Sequence, residues 1–186
     1  MLKLNLFICT LTLTIFLLCK NTAYSNSLKF NNDTYSLKNV KISDINKGYE
    51  NEYFLNGQDE KNWTKMIGIY HYPEISDPIK YAELFDKEIE AQERVVLLKF
   101  IKNKKQDKAV ISFLENGDNN GKYYFDYNIY KYEKHPQKGV VVLKYVKRYY
   151  FDSNGQITSI GHEVKGINDE LLQQIIISPI PSIIER

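Results

Sequence analysis

Cysteine is almost missing from this chain of 186 residues, and the two that occur, Cys9 and Cys19, both fall near its start. Histidine is scarce, at three, and there is a single tryptophan. An excess of one charge is lacking as well, with 25 Lys and Arg against 23 Asp and Glu. Each shortage excludes something. Without later cysteines there is no disulfide framework and no thiolate nucleophile or metal ligand in the body of the chain. Balanced charge argues against a nucleic-acid-binding surface spread over the whole domain. The 43% apolar and 26% charged residues are those of a folded globular chain, not a disordered, collagenous or polytopic one. The length fits one domain with extra segments at the ends.

What is present begins with a three-part leader. Lys3 supplies a positive start, Leu6 to Cys19 is nearly all apolar, and Ala23-Tyr24-Ser25 places small residues at a cleavage site after Ser25. That is the layout of a secretory signal peptide. The apolar run is shorter than the roughly 20 residues of a spanning helix. An uncleaved anchor and a lipid on Cys19 are the alternatives, the second opposed by bulky Phe16, Leu17 and Leu18 before that cysteine. Cleavage removes Lys3, Lys20 and both cysteines, leaving basic and acidic residues equal in number. A domain of about 150 residues buries enough surface to fold without disulfides. The expectation is an exported, periplasmic or extracellular protein of bacterial type, touching membrane only through its export signal.

Residues 26–48 read as an N-terminal arm with one short strand, and 49–186 as one domain. Tyr49 to Leu55 and Trp63 to Tyr72 have strand character, the second alternating until Pro73. Asp77-Pro78 opens a helix of about residues 78–92, with Ile79, Ala82, Phe85 and Ile89 on one face. Val95–Ile101 and Ala109–Leu114 flank a charged hairpin loop. Asn116 to Gly121 reads as a turn cluster. Lys122–Lys134 and Gly139–Phe151 are long strands joined through His135-Pro136-Gln137-Lys138. After a turn at 152–155, Ile157–Ile160 reads as a short strand, and Asn168-Asp169 as the cap of a C-terminal helix. Hairpin loops this short predict an α+β fold, a mainly antiparallel sheet with both helices packed on it. This order of elements resembles the PsbP/DcrB-like exported α+β domains over roughly residues 49–180. The resemblance is one of topology and implies a non-catalytic accessory role.

The chemistry-bearing residues are sparse. His71 lies in a strand, His135 in a hairpin loop, and His162 beside Glu163 in what reads as extended chain, where neighbours point to opposite faces. No Gly-x-Ser-x-Gly elbow, zinc-type ligand spacing or phosphate loop occurs. No catalytic residue, metal ligand or cofactor is assigned on these grounds.

The strongest signal is aromatic. Tyr124, Tyr130, Tyr132 and Tyr150 lie with Lys144 and Arg148 on two strands expected to pair, and Tyr and Arg are favoured anchors of protein interfaces. Aromatic residues also simply suit strands. The expectation is an exported, non-catalytic binding or accessory protein, of inhibitor or immunity type, that meets a protein or envelope component through this face. A small secreted hydrolase using a His/carboxylate pair, through His162 or His71, is the alternative.

Overall fold

A computed structural model of the protein describes residues 26–42, 47–119, 121–152 and 154–185. The expected export segment, 1–25, lies outside the described residues. Eight strands form one antiparallel sheet: β1 (Ser27–Phe30), β2 (Asp33–Ile42), β3 (Tyr49–Leu55), β4 (Lys65–Tyr72), β5 (Val95–Lys102), β6 (Lys108–Asn119), β7 (Lys122–Lys134) and β8 (Val140–Phe151). Their spatial order is β1-β2-β3-β4-β8-β7-β6-β5. Two helices, α1 (Pro78–Glu90) and α2 (Asn154–Ile177), complete a fold that is broadly α+β.

Each helix takes one face of the sheet, because strand residues alternate between faces. Ile111, Phe113, Tyr132 and Val142 pack with Ile79, Ala82 and Ile89 of α1. Ile67, Ile69, Tyr127, Ile129, Leu143 and Tyr145 pack with Val164, Leu171, Leu172 and Ile175 of α2. The start of α1 is as local chemistry predicts: the Asp77 carboxylate accepts from the Ile79 and Lys80 amides at 2.9 and 3.1 Å, and Pro78 occupies the first turn. The helix ends at Glu90, slightly before the expected boundary.

Three segments differ from expectation. The N-terminal arm is not an appendage, since β1 and β2 pair with each other and β2 pairs with β3. A two-residue turn at Asn31-Asn32, both at positive φ, makes the first hairpin tight, as asparagine permits. The polar run Asn116–Asn119 is strand, not turn. Asp118 sits opposite Tyr123, and Gly117 opposite Tyr124, so cross-strand aromatics override local turn propensity.

The largest difference is α2, a single helix of 24 residues where a short strand and a separately capped helix were expected. Ile160, Val164, Leu171 and Ile175 all reach the same core, an apolar stripe continuous at helical spacing. Asn168 and Asp169 lie inside the helix. The Tyr127 hydroxyl donates to Asn168 Oδ1 at 2.6 Å, and Lys99 pairs with Asp169.

Past α2, residues 178–185 run back over the sheet and are held by polar side chains that the sheet itself buries. Lys131, 2% exposed, donates to the Ser178 carbonyl at 2.6 Å and pairs with Glu133 at 2.6 Å. Asn51, fully buried, orients its amide to accept from the Ile184 N–H at 2.6 Å and donate to the Ile184 carbonyl at 3.2 Å. His71, 5% exposed, meets Glu185 at 2.5 Å. Among the described residues, no helix is long and apolar enough to cross a membrane.

The glycines Gly161 and Gly166 sit on the exposed side of α2, and a Cβ added at either meets only open space. Glycine inside a helix costs roughly 0.5–1 kcal/mol relative to alanine. Gly161→Ala and Gly166→Ala should therefore each raise stability by about that amount in urea unfolding, and a loss of stability would show a need for glycine that packing does not reveal.

Candidate functional site

Helix α1 packs against β5, β6 and β7, so its face of the sheet splits into a covered part and an open part. All six residues expected to form a binding face lie on this one side. In register, Tyr124 opposes Tyr150, Tyr130 opposes Lys144, and Asp126 opposes Arg148. The structure then divides them. Tyr132 is 2% exposed and lies edge-on to Tyr81 of α1. Tyr130 stacks on Phe85 of α1 with centroids 5.1 Å apart. These two tyrosines belong to helix packing. Tyr124, Arg148 and Tyr150 lie beyond α1, at the open end.

Arg148 organises that end. Its guanidinium donates to both Asp126 oxygens, at 2.8 and 2.7 Å, a bidentate fork. It also lies between two rings, 4.0 Å from the Trp63 centroid and 3.8 Å from that of Tyr124. Burial works against the charge, but the Asp126 bonds outweigh it and hold the guanidinium above its ordinary range. Gly117 makes the stack possible. A Cβ there would come within 2.4 Å of the Tyr124 ring, so the ring lies flat over the backbone of the neighbouring strand.

A polar seam continues from the stack toward β3. Lys144 Nζ sits 5.2 Å over the Tyr130 ring. Burial opposes its charge, yet the Tyr130 hydroxyl and the carboxylates of Glu52 and Asp126 hold its pKa above the ordinary value. The Tyr70 hydroxyl donates to Glu52 at 3.3 Å, and Asn39 donates to the other Glu52 oxygen at 2.9 Å. Every charge in the seam has a partner on the same face, which makes it a structural network that leaves no ion free for a ligand.

What remains exposed is mainly aromatic and amide, with Lys122 and Asp152 at the rim. A groove of about 770 Å³ opens beside the stack, lined by Asn62, Trp63, Asn119, Tyr123, Tyr150 and Phe151, among others. Tyr123 is 57% and Tyr150 41% exposed, unusual for large rings at adjacent strand ends. Tyr123 stacks on Phe151 and Tyr150 meets Tyr124 edge-on, so both rings are braced. Tyr123, Phe151 and Trp63 are contacts that strand alternation did not single out. They join the site because it wraps the end of the sheet and draws on both faces.

The histidines are placed differently from their sequence context. His162 and Glu163 are helical neighbours, and Glu163 turns to Lys147 at 2.7 Å and Tyr149 at 3.1 Å, so His162 has no carboxylate partner in Glu163. His71 and His135, far apart in sequence, stack with centroids 4.0 Å apart, and Glu185 joins His71. Burial, and then the neighbouring His71, lowers the His135 pKa. No local pattern foretold this meeting, which depends on β4 pairing with β8 and on the return of the C-terminal tail.

Comparison with known proteins places the chain in a family: residues 22–180 match a single protein-family model, and the chain belongs to that family. No curated protein and no solved structure matches it.

The Asp126–Arg148 pair is 11% and 13% exposed. Removing one partner of a pair this buried costs about 3–5 kcal/mol. Asp126→Ala should lose stability on that scale in urea unfolding followed by the fluorescence of Trp63, the only tryptophan. A loss below about 1 kcal/mol would mean that ring stacking alone holds the guanidinium.

Proposed function

We propose that this family member is an exported, non-catalytic binding protein that meets a protein partner through the aromatic groove at the open end of the sheet. The observation that carries the reading is the pair of exposed rings, Tyr123 braced by Phe151 and Tyr150 braced by Tyr124 of the Trp63–Arg148–Tyr124 stack. Rigid, half-exposed tyrosines beside a fixed arginine are the composition of an interface centre. The charges behind them are already paired, so the rings and amides would carry most of the affinity, with Lys122 and Asp152 the charged residues at the rim. An accessory role, as the resemblance to PsbP/DcrB-like domains implies, fits a protein that works by contact. Export is supported by the leader-like order of Lys3, the apolar run and Ala23-Tyr24-Ser25.

The hydrolase alternative has one observation in its favour, the His71–Glu185 pair. Both His71 ring nitrogens are engaged, Nδ1 by Glu185 and Nε2 by the Lys138 carbonyl at 2.7 Å. With Nδ1 turned to the Glu185 carboxylate, Nε2 is the nitrogen left for a substrate, and the Lys138 carbonyl already holds its hydrogen, so the pair is not placed to take a substrate proton and the geometry favours binding.

The test is capture of partners from an envelope extract on immobilised protein, with the Tyr123→Ala/Tyr150→Ala double variant in parallel. Both rings are largely outside the core, so the variant should fold. Loss of two anchors at about 2 kcal/mol each lowers affinity about 700-fold, and a partner held by the wild type should disappear. A partner retained equally by the double variant would remove the groove from consideration.

A further inference from the structure

At the other end of β4 and β8, His71, His135 and Glu185 place one ligand atom each within 4.8 Å of one another. We propose that these three residues bind a divalent first-row metal ion of the zinc class, and that the ion latches the C-terminal tail to the β7–β8 hairpin. This does not depend on the aromatic groove, which lies at the opposite end of the sheet.

The argument starts at His71. Its Nε2 faces the Lys138 carbonyl at 2.7 Å, and a carbonyl only accepts, so Nε2 carries hydrogen. Nδ1 faces the Glu185 carboxylate at 2.5 Å, and a carboxylate also accepts. Only a proton or a cation satisfies two acceptors aimed at each other. A backbone carbonyl that fixes one imidazole nitrogen and aims the other is the outer-shell arrangement of metal-binding histidines.

The second ligand is already beside the first. The His135 ring is stacked on His71 at 4.0 Å and 29°, on a hairpin whose shape is set by Gly139. That residue has a φ of +89°, and a Cβ there would strike the Tyr72 carbonyl at 2.3 Å. Three donors around zinc at about 2.0–2.2 Å are roughly 3.4 Å apart. Reaching that spacing needs Glu185, whose side chain is 34% exposed, to draw back from His71, and the donors now up to 4.8 Å apart to close by adjustment of Glu185 and the half-buried His135 ring, while buried His71 stays in place.

Two imidazoles and one carboxylate suit zinc better than calcium or magnesium, which prefer all-oxygen shells. Three protein ligands leave a fourth position, and a pocket of about 340 Å³ lined by His135, Gln137, Pro181 and Glu185 admits solvent to it. The tail is then fastened by a metal bond as well as by Asn51 and Lys131.

The test uses the full folded protein, without a histidine tag and stripped with chelator, titrated calorimetrically with zinc chloride and melted with and without the ion. The expected result is one zinc per chain, a raised Tm that chelator reverses, and no effect of calcium or magnesium. His135→Ala and Glu185→Gln, both outside the buried core, should each weaken zinc binding at least tenfold, while His162→Ala on the exposed side of α2 should not. Absence of zinc binding below about 1 mM, or wild-type binding by both His135→Ala and Glu185→Gln, would overturn the proposal. Because Tyr123→Ala/Tyr150→Ala leaves these ligands intact, its zinc titration separates failure of this site from failure of the groove.

Discussion

The fold depends on a debt of hydrogen bonds inside the sheet. Asn51, His71 and Lys131 are polar side chains on β3, β4 and β7, buried on the face that α2 covers. A buried polar group without a partner costs about 1–3 kcal/mol, more when charged. None of the three finds its full complement within the sheet. Each is completed by residues 178–185: Lys131 by the Ser178 carbonyl, Asn51 by both main-chain groups of Ile184, and His71 by Glu185. The tail is therefore a structural part, and Ile183 and Ile184, both buried, add apolar contact to the polar register. Polar anchors of this kind specify where a segment lies, whereas apolar burial alone would let it slide.

That arrangement explains the asymmetry of the two faces. On the α2 side the helix and the tail together cover the strands over most of their length. On the α1 side a helix of 13 residues packs mainly on β5–β7 and reaches only the near ends of β8 and β4, at Val142 and Tyr72, and the remaining face is closed by a network of its own charges. Glu52, Lys144, Asp126 and Arg148 are paired with each other or with tyrosines. Such a surface resists filling by a second layer, since covering it would desolvate ions without adding partners. The open end is what remains, with the rings of Tyr123 and Tyr150 exposed at its rim.

Much of this was legible where local chemistry decides the outcome. Asp77-Pro78 announced α1, and the alternation in Trp63–Tyr72 and Lys122–Tyr130 announced strands, because capping and pleat are short-range effects. Legibility failed where distant residues decide. Ile157-Thr158-Ser159-Ile160 is rich in β-branched residues and too short to show a helical period by itself, and Gly161 and Gly166 weaken the helical signal. Only the longer stripe through Val164, Leu171 and Ile175, set against the sheet, makes α2 continuous. Asn116–Asn119 has turn chemistry and becomes strand because Tyr123 and Tyr124 lie opposite it. The six residues expected to form the aromatic face share one side of β7 and β8, but α1 takes Tyr130 and Tyr132 from it, a division that no pattern within those strands records.

The same two strands carry both candidate sites, one at each end. From Val141, beside the histidines, to Arg148, in the aromatic stack, β8 runs roughly 23 Å at about 3.3 Å per residue. β4 spans about 20 Å on the same scale, with His71 at one end and Lys65, next to Trp63 and Thr64, at the other. These are central strands, hydrogen-bonded on both sides, and so the most rigid track in the molecule. A ligand at one end would not be felt at the other through a hinge, because the sheet offers none between them. The tail is a different matter, since it is fastened at separate points by Lys131, Asn51 and His71. Changes at the histidine end would thus be expressed in how firmly residues 178–185 and the end of α2 are held, leaving the aromatic groove in its shape. The two ends are best understood as independent in chemistry and joined only through a shared scaffold.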